Sequence, residues 1–91
     1  MNSKDKSLII QKAKEYDISK IFLFGSSMNA SRKRANDIDI GAEGLDPKAF
    51  FKFYGELMFL LSKPLDLVDL TAASSFNEYI RKYGLLIYEK K

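Results

Sequence analysis

Two carboxylates two residues apart, Asp37 and Asp39, stand in the alternating stretch Asp37-Ile38-Asp39-Ile40. Successive side chains of a strand point to opposite faces, so Ile38 and Ile40 go one way and the two acids the other. Their Cα atoms would lie roughly 6.5 Å apart, twice the rise per residue, and their oxygens could converge on hard cations between them. Upstream, the apolar run Ile21-Phe22-Leu23-Phe24 reads as a buried strand that Gly25-Ser26 breaks. Gly25 has no side chain, so a phosphate can approach its backbone closely. Ser26 can open a short helix, whose free N–H groups favour an anion. A phosphate grip and metal carboxylates in one strand–turn–strand unit suit phosphoryl or nucleotidyl transfer, where the protein positions groups and neutralises charge through divalent ions.

A third acid can join if it lies on a neighbouring strand, ~4.8 Å away, and shares the same face. Leu65 to Leu70 offers two, Asp66 and Asp69. Alternation puts Asp66 opposite the core-facing Leu65 and Leu67. Asp69 falls on the core side unless the strand bulges or ends first, so Asp66 is the expected partner and Asp69 the alternative.

The spacing of Gly25-Ser26, ten residues, then Asp37-x-Asp39 resembles the G-S-x10-D-x-D signature of DNA polymerase β-type nucleotidyltransferases. The short length and the Leu65–Leu70 strand look like the minimal nucleotidyltransferase (MNT) branch, which pairs with HEPN-domain proteins in two-gene toxin–antitoxin systems. The likeness runs from about Lys12 to Glu89, and the family's hydrophobic-Asp-hydrophobic strand also matches Asp66. The resemblance implies a polymerase β-like fold and two divalent ions, Mg2+ or Mn2+, on Asp37, Asp39 and Asp66. It implies ATP or another nucleoside triphosphate as substrate, its phosphates held by Gly25, Ser26 and Ser27. The acceptor it implies is a hydroxyl, a Tyr of a cognate HEPN toxin, which would gain AMP or another NMP. Family members commonly continue from Gly-Ser with Arg and Gly. This chain reads Ser27-Met28-Asn29-Ala30 there, and Asn36 stands where Ser often precedes the first Asp. Arg32, Lys33 or Arg34 is the expected substitute for the absent phosphate contact, with Arg32 the first candidate.

The chain's 91 residues suit one small domain spanning 1–91, and 46% hydrophobic with seven Phe and five Tyr supplies a core. No apolar run reaches the ~20 residues that cross a bilayer, and the charged N-terminus lacks a signal peptide's apolar stretch, so a cytoplasmic protein is expected. Without Cys or His, disulfides and a His base are excluded, a zinc site is not expected, and any metal is oxygen-bound, which points to magnesium or manganese. A net charge of +3 is a mild excess that suits a polyphosphate, an acidic partner or nucleic acid equally. Direct nucleic-acid binding is the weakest reading, since an acidic face repels phosphates unless metal-loaded.

Around these residues the pattern predicts an α+β domain with one small mixed sheet, in the order α-β-α-β-α-β-α-β. Met1 to Asp5 is expected to fray, and Lys6 to Tyr16 to form a helix with Leu8, Ile9, Ala13 and Tyr16 inward. Further helices are expected over Ser27 to Ala30, from the Asp46 N-cap and Pro47 through Leu61, and from a Ser75-x-x-Glu78 capping box to Tyr83 with Gly84 as C-cap. Gly41 to Leu45 reads as a turn and Leu85 to Tyr88 as the last strand. The basic loop Ser31–Arg34 is too short for a parallel crossover, so the first two strands are expected antiparallel. Phe51, Met58 and Phe59 widen the apolar stripe of the Asp46–Leu61 helix beyond what one sheet face buries, which points to a protein partner. A second function follows from that surplus: a non-catalytic module that neutralises its toxin by contact.

Overall fold

The computed structural model describes residues 1–25 and 37–91. Its elements are helix α1 (Ser3–Glu15), strands β1 (Lys20–Leu23) and β2 (Ile38–Glu43), helix α2 (Phe50–Leu60), strand β3 (Leu65–Asp69), helix α3 (Ser75–Tyr83) and strand β4 (Leu85–Glu89). The helix expected over residues 27–30 and the basic loop over 31–34 lie outside the described residues. None of the helices among those described is long and apolar enough to cross a membrane.

The sheet runs in the order β3-β2-β1-β4. β1 is antiparallel to both β2 and β4, whereas β2 and β3 are parallel. The sheet is therefore mixed, and β1 and β2 are antiparallel, both as expected. A parallel pair needs a long crossover, and α2 supplies it between β2 and β3.

Alternation sorts the side chains between two unequal layers. Ile21 and Leu23 of β1, Ile38, Ile40 and Ala42 of β2 and Leu65 of β3 meet Ile9 and Ala13 of α1 and Phe53 and Leu57 of α2. The opposite face carries a smaller cluster of Phe22, Leu70 and Ile80, with Phe24 and Val68 against it. α3 thus covers only part of that second face, and Asp39 and Asp66 share it.

Several local expectations are corrected by contacts far away in sequence. Of residues 1–5, expected to fray, Ser3 to Asp5 are helical, because the Asn2 side chain accepts the Asp5 N–H at 2.7 Å and starts α1 at Ser3. The Asp5 carboxylate is buried and accepts both the N–H and the hydroxyl of Ser62, tying the first turn of α1 to the end of α2. A buried acid lacking such partners is costly. Gly41 to Glu43 is strand, not turn, pairing with β1 on one side while Gly41 and Ala42 pair with β3 on the other. Gly41 belongs there because a Cβ would lie 2.9 Å from a Leu70 methyl. Asp46 does cap its helix by accepting the Lys48 N–H at 3.0 Å, through a 3-10 turn over Pro47–Ala49. The cap of α3 is Ser74, one residue before the expected Ser75, and its hydroxyl accepts the Asn77 N–H.

Gly84 ends α3, but in an extended conformation at φ −70°. Glycine is required by space: a Cβ there would lie 2.5 Å from the Ile80 carbonyl and 2.9 Å from that of Leu23. Both obstacles are backbone. Gly84→Ala is therefore expected to destabilise by about 1–3 kcal/mol, read as a lower urea midpoint at unchanged slope.

Candidate active site

Asp39 lies one position into β2 and Asp66 one position into β3, and the parallel register sets them directly opposite each other. Neighbouring strands are ~4.8 Å apart. Both acids point away from the α1–α2 core, because Ile38 and Leu65, the pair before them, point into it. Asp37 is exposed and just precedes β2, so its orientation comes from a bend rather than from alternation. Asp69 is placed elsewhere. It pairs with the core residue Ala42, and its carboxylate accepts the Thr71 N–H at 2.9 Å in the turn that follows. The register thus brings Asp66, not Asp69, to Asp39.

The end of β1 closes on the same spot. The Phe24 N–H donates to the Asp39 carbonyl at 3.1 Å. Gly25 has φ +60°, and a Cβ built on it would sit 2.7 Å from Asp39 Oδ2. The left-handed backbone favours glycine, and the carboxylate would strike any side chain there. Ser26, Ser27 and Arg32 lie outside the described residues.

The electrostatics of Asp39 follow from this placement. Loss of solvation raises its pKa above the usual carboxylate value, and the charges of Asp66 and then Asp37 raise it further. Like charges held together disfavour ionisation, and a cation among them reverses that effect. The donors are all carboxylate oxygens in a chain without His or Cys, which suits magnesium or manganese. Among the described residues, no three acidic side chains are drawn tightly enough together to hold one ion as they stand.

Other polar groups nearby are engaged in structure. Arg81 donates to the Glu43 carboxylate at 3.0 Å and to the Leu70 carbonyl, so it braces α3 against β2. Asn77 is buried and donates to the Asp69 and Ala72 carbonyls, fixing the turn between β3 and α3. Sequence reasoning passed over Phe76, which packs edge-to-face on Phe24 with centroids 5.7 Å apart while staying 53% exposed. The contact joins residues 24 and 76, and nothing local signals it. A groove of about 510 Å³ lies elsewhere, lined by Lys12, Phe51, Lys52, Gly55, Glu56 and Phe59. α2 packs on the sheet face opposite Asp39, so this groove is separate from the carboxylates. It does expose the expected apolar surplus, with Phe51 at 80% and Phe59 at 88%.

Comparison with known proteins agrees with this geometry. A family model described as "Polymerase beta, Nucleotidyltransferase" matches residues 7–91. The fold is similar to a chain of the toxin–antitoxin MntA–HepT structure, at 25% identity and TM-score 0.71, covering 98% of this chain and 74% of that one. A toxin–antitoxin structure with AMP-PNP is 27% identical at TM-score 0.75, covering 94% and 74%. A structure of tri-AMPylated Shewanella oneidensis HEPN toxin in complex with MNT antitoxin is 26% identical at TM-score 0.74, covering 99% and 74%. No curated protein matches. With the family model spanning almost the whole chain and the paired acids beside a glycine bend, the chain belongs to the polymerase beta nucleotidyltransferase family.

Proposed function

We propose that this protein transfers AMP from ATP to a tyrosine hydroxyl of a HEPN-domain partner, and so acts as the antitoxin of that pair. The observation that carries the reading is the in-register pairing of Asp39 with Asp66 beside Gly25. Support for the partner and for AMP comes from the similar structures, one an MNT antitoxin complex holding a tri-AMPylated toxin and one containing AMP-PNP.

Asp37, Asp39 and Asp66 would hold two magnesium or manganese ions, which neutralise the triphosphate and activate its α-phosphorus. The Gly25 backbone, with Ser26, Ser27 and Arg32, holds the β- and γ-phosphates. The acceptor oxygen then forms a bond to the α-phosphorus while the bond to the bridging oxygen of the β-phosphate breaks, and pyrophosphate leaves. Asp66, the exposed member of the pair, accepts the proton of the attacking hydroxyl.

The exposed apolar side of α2 favours a second reading, neutralisation of the partner by contact alone. Asp37→Ala combined with Asp39→Ala separates the two. Full antitoxin activity in that variant, with complex formation unchanged, establishes contact as the function.

Nucleotide engagement has its own test, the melting temperature with magnesium and a triphosphate. Ligand at 100 times its dissociation constant adds about 2.7 kcal/mol, a rise of roughly 10–20 °C for a domain this small. Absence of a shift with every nucleoside triphosphate contradicts the enzyme.

A further inference from the structure

We propose that the outer face of α2 is a homodimer interface, where two copies of this chain cross at Gly55 and the Phe51 and Phe59 rings of each pack along the helix of the other. The proposal concerns the sheet face opposite the carboxylates and goes beyond the transfer reaction.

Gly55 is the sixth of the eleven residues of α2. Glycine weakens a helix interior relative to alanine, because it loses more backbone freedom on folding. Gly41 and Gly84 are required by space, since an added Cβ would strike a neighbour. Gly55 is different. A Cβ there meets nothing within 4 Å among the described residues. The residue is exposed, so what it leaves is a notch on the outside of the helix.

Phe51 and Phe59 stand four residues to either side of that notch, 80% and 88% exposed. Residues four apart form one ridge of a helix surface, and helices pack by laying the ridge of one into the groove of another. Here the ridge is two bare rings with a gap between them. A glycine at a crossing point lets two helix axes approach to ~8 Å, the short end of the usual range. A second α2 crossing there sets its own notch on this one, and each helix then lies between the two rings of the other.

The charges beside the notch also match a copy of themselves. Lys52 and Glu56 both line the groove next to Gly55. With the two helices antiparallel, Gly55 faces Gly55 and Phe51 faces Phe59. Lys52 of one copy then falls about 3 Å along the axis from Glu56 of the other, on the same flank of the crossing. Four rings with this exposure offer roughly 500–800 Å², and Met58 and Leu60, 45% and 39% exposed, flank them. That approaches the ~1,000 Å² of a specific but weak interface, so dissociation is expected at roughly 10–100 µM.

A toxin is the other candidate occupant. In the proposed reaction its hydroxyl has to reach Asp39 and Asp66, which lie on the sheet face away from α2. A second copy seated on α2 leaves both acidic faces open, one on each side of the dimer.

Sedimentation equilibrium over about 1–300 µM, a range spanning a weak interface, tests this in wild type, Gly55→Ala, Gly55→Gln and Phe59→Ala. Wild type is expected to pass from monomer to dimer. Filling the notch with Gln or removing a ring should raise the dimer dissociation constant at least about tenfold, the scale of an interface hot spot. In dilute solution Gly55→Ala and Gly55→Gln should melt at or above the wild-type temperature, because both residues are better helix formers. A wild type that stays monomeric throughout overturns the proposal, and so does a dimer unaffected by Gly55→Gln. Gly55→Ala melting below wild type shows that the glycine serves the fold, which overturns it too. A monomeric wild type that loses its HEPN-domain toxin on Gly55→Gln substitution assigns the groove to the toxin, against the proposal. A dimer that behaves as expected while triphosphate and magnesium leave the melting temperature unmoved sustains the interface and counts only against the transfer reaction.

Discussion

Asp39→Asn is expected to reduce nucleotidyl transfer by roughly 10²–10³-fold, the scale of losing one preorganised electrostatic group at a reacting centre, while the metal-free protein becomes more resistant to heat. The two effects have one cause. In wild type, Asp39 is partly desolvated and faces Asp66 across the strand pair, with Asp37 two residues away. Its carboxylate is therefore harder to ionise than a free one. Asparagine keeps the shape and removes the charge, relieving the repulsion and removing the proposed metal ligand together. The pH dependence has a definite sign. A carboxyl whose pKa is higher in the folded chain binds its proton more tightly there, so its contribution to stability is complete below the unfolded pKa and is lost as pH rises through the folded one. Melting temperatures of metal-free wild type should decline with pH across that window relative to Asp39→Asn. Magnesium should restore wild type and leave the variant unmoved. Activity and stability falling together in Asp39→Asn would show that Asp39 is structural.

Phe53→Ala is expected to cost about 3–5 kcal/mol, the usual range for emptying a buried aromatic site. Phe53 is wholly buried between α2 and the sheet, and its ring meets Tyr16 edge-to-face with centroids 5.2 Å apart. Tyr16 is itself fixed, donating its hydroxyl to Glu56. Its pKa is pushed up to about 12, first by burial and then by Glu56. A domain of this size has a total stability of only about 5–14 kcal/mol, so the substitution removes a large share. Phe59→Ala, on the same helix but 88% exposed, should stay within about 0.5 kcal/mol of wild type. Urea unfolding of both variants checks the contrast, and similar costs would contradict the assignment of inner and outer faces to α2.

The central geometry was legible because it depends on short-range alternation. Asp39 must oppose Ile38 and Ile40, and Asp66 must oppose Leu65 and Leu67, whatever else the chain does. The antiparallel β1–β2 pair was expected from the short basic loop, although the whole connection, residues 24–37, is as long as a minimal parallel crossover. Other features depended on partners far away in sequence. Asn2 caps α1 in a chain where Asp5 is also claimed by Ser62, 57 residues on. Gly41 looked like the start of a turn, yet it continues β2 by pairing with both β1 and β3, and a Leu70 methyl beside it leaves room only for glycine. Ser74 and Ser75 are chemically equivalent caps, and the tertiary anchoring of Asn77 accompanies the choice of the first. Gly84 read as a C-cap and is one, but what requires glycine there is two carbonyls, one of them from β1. The Phe24–Phe76 contact was equally hidden, since only the packing of α3 across the acidic face brings those rings together.

The most direct test of the account is the intact mass of a cognate HEPN-domain toxin after incubation with this protein, ATP and magnesium. A mass increase of one or more AMP units on the toxin is expected, with none from the Asp37→Ala, Asp39→Ala protein and none when magnesium is chelated. An unmodified toxin whose activity is nevertheless suppressed, or modification that survives loss of both acids, would contradict it.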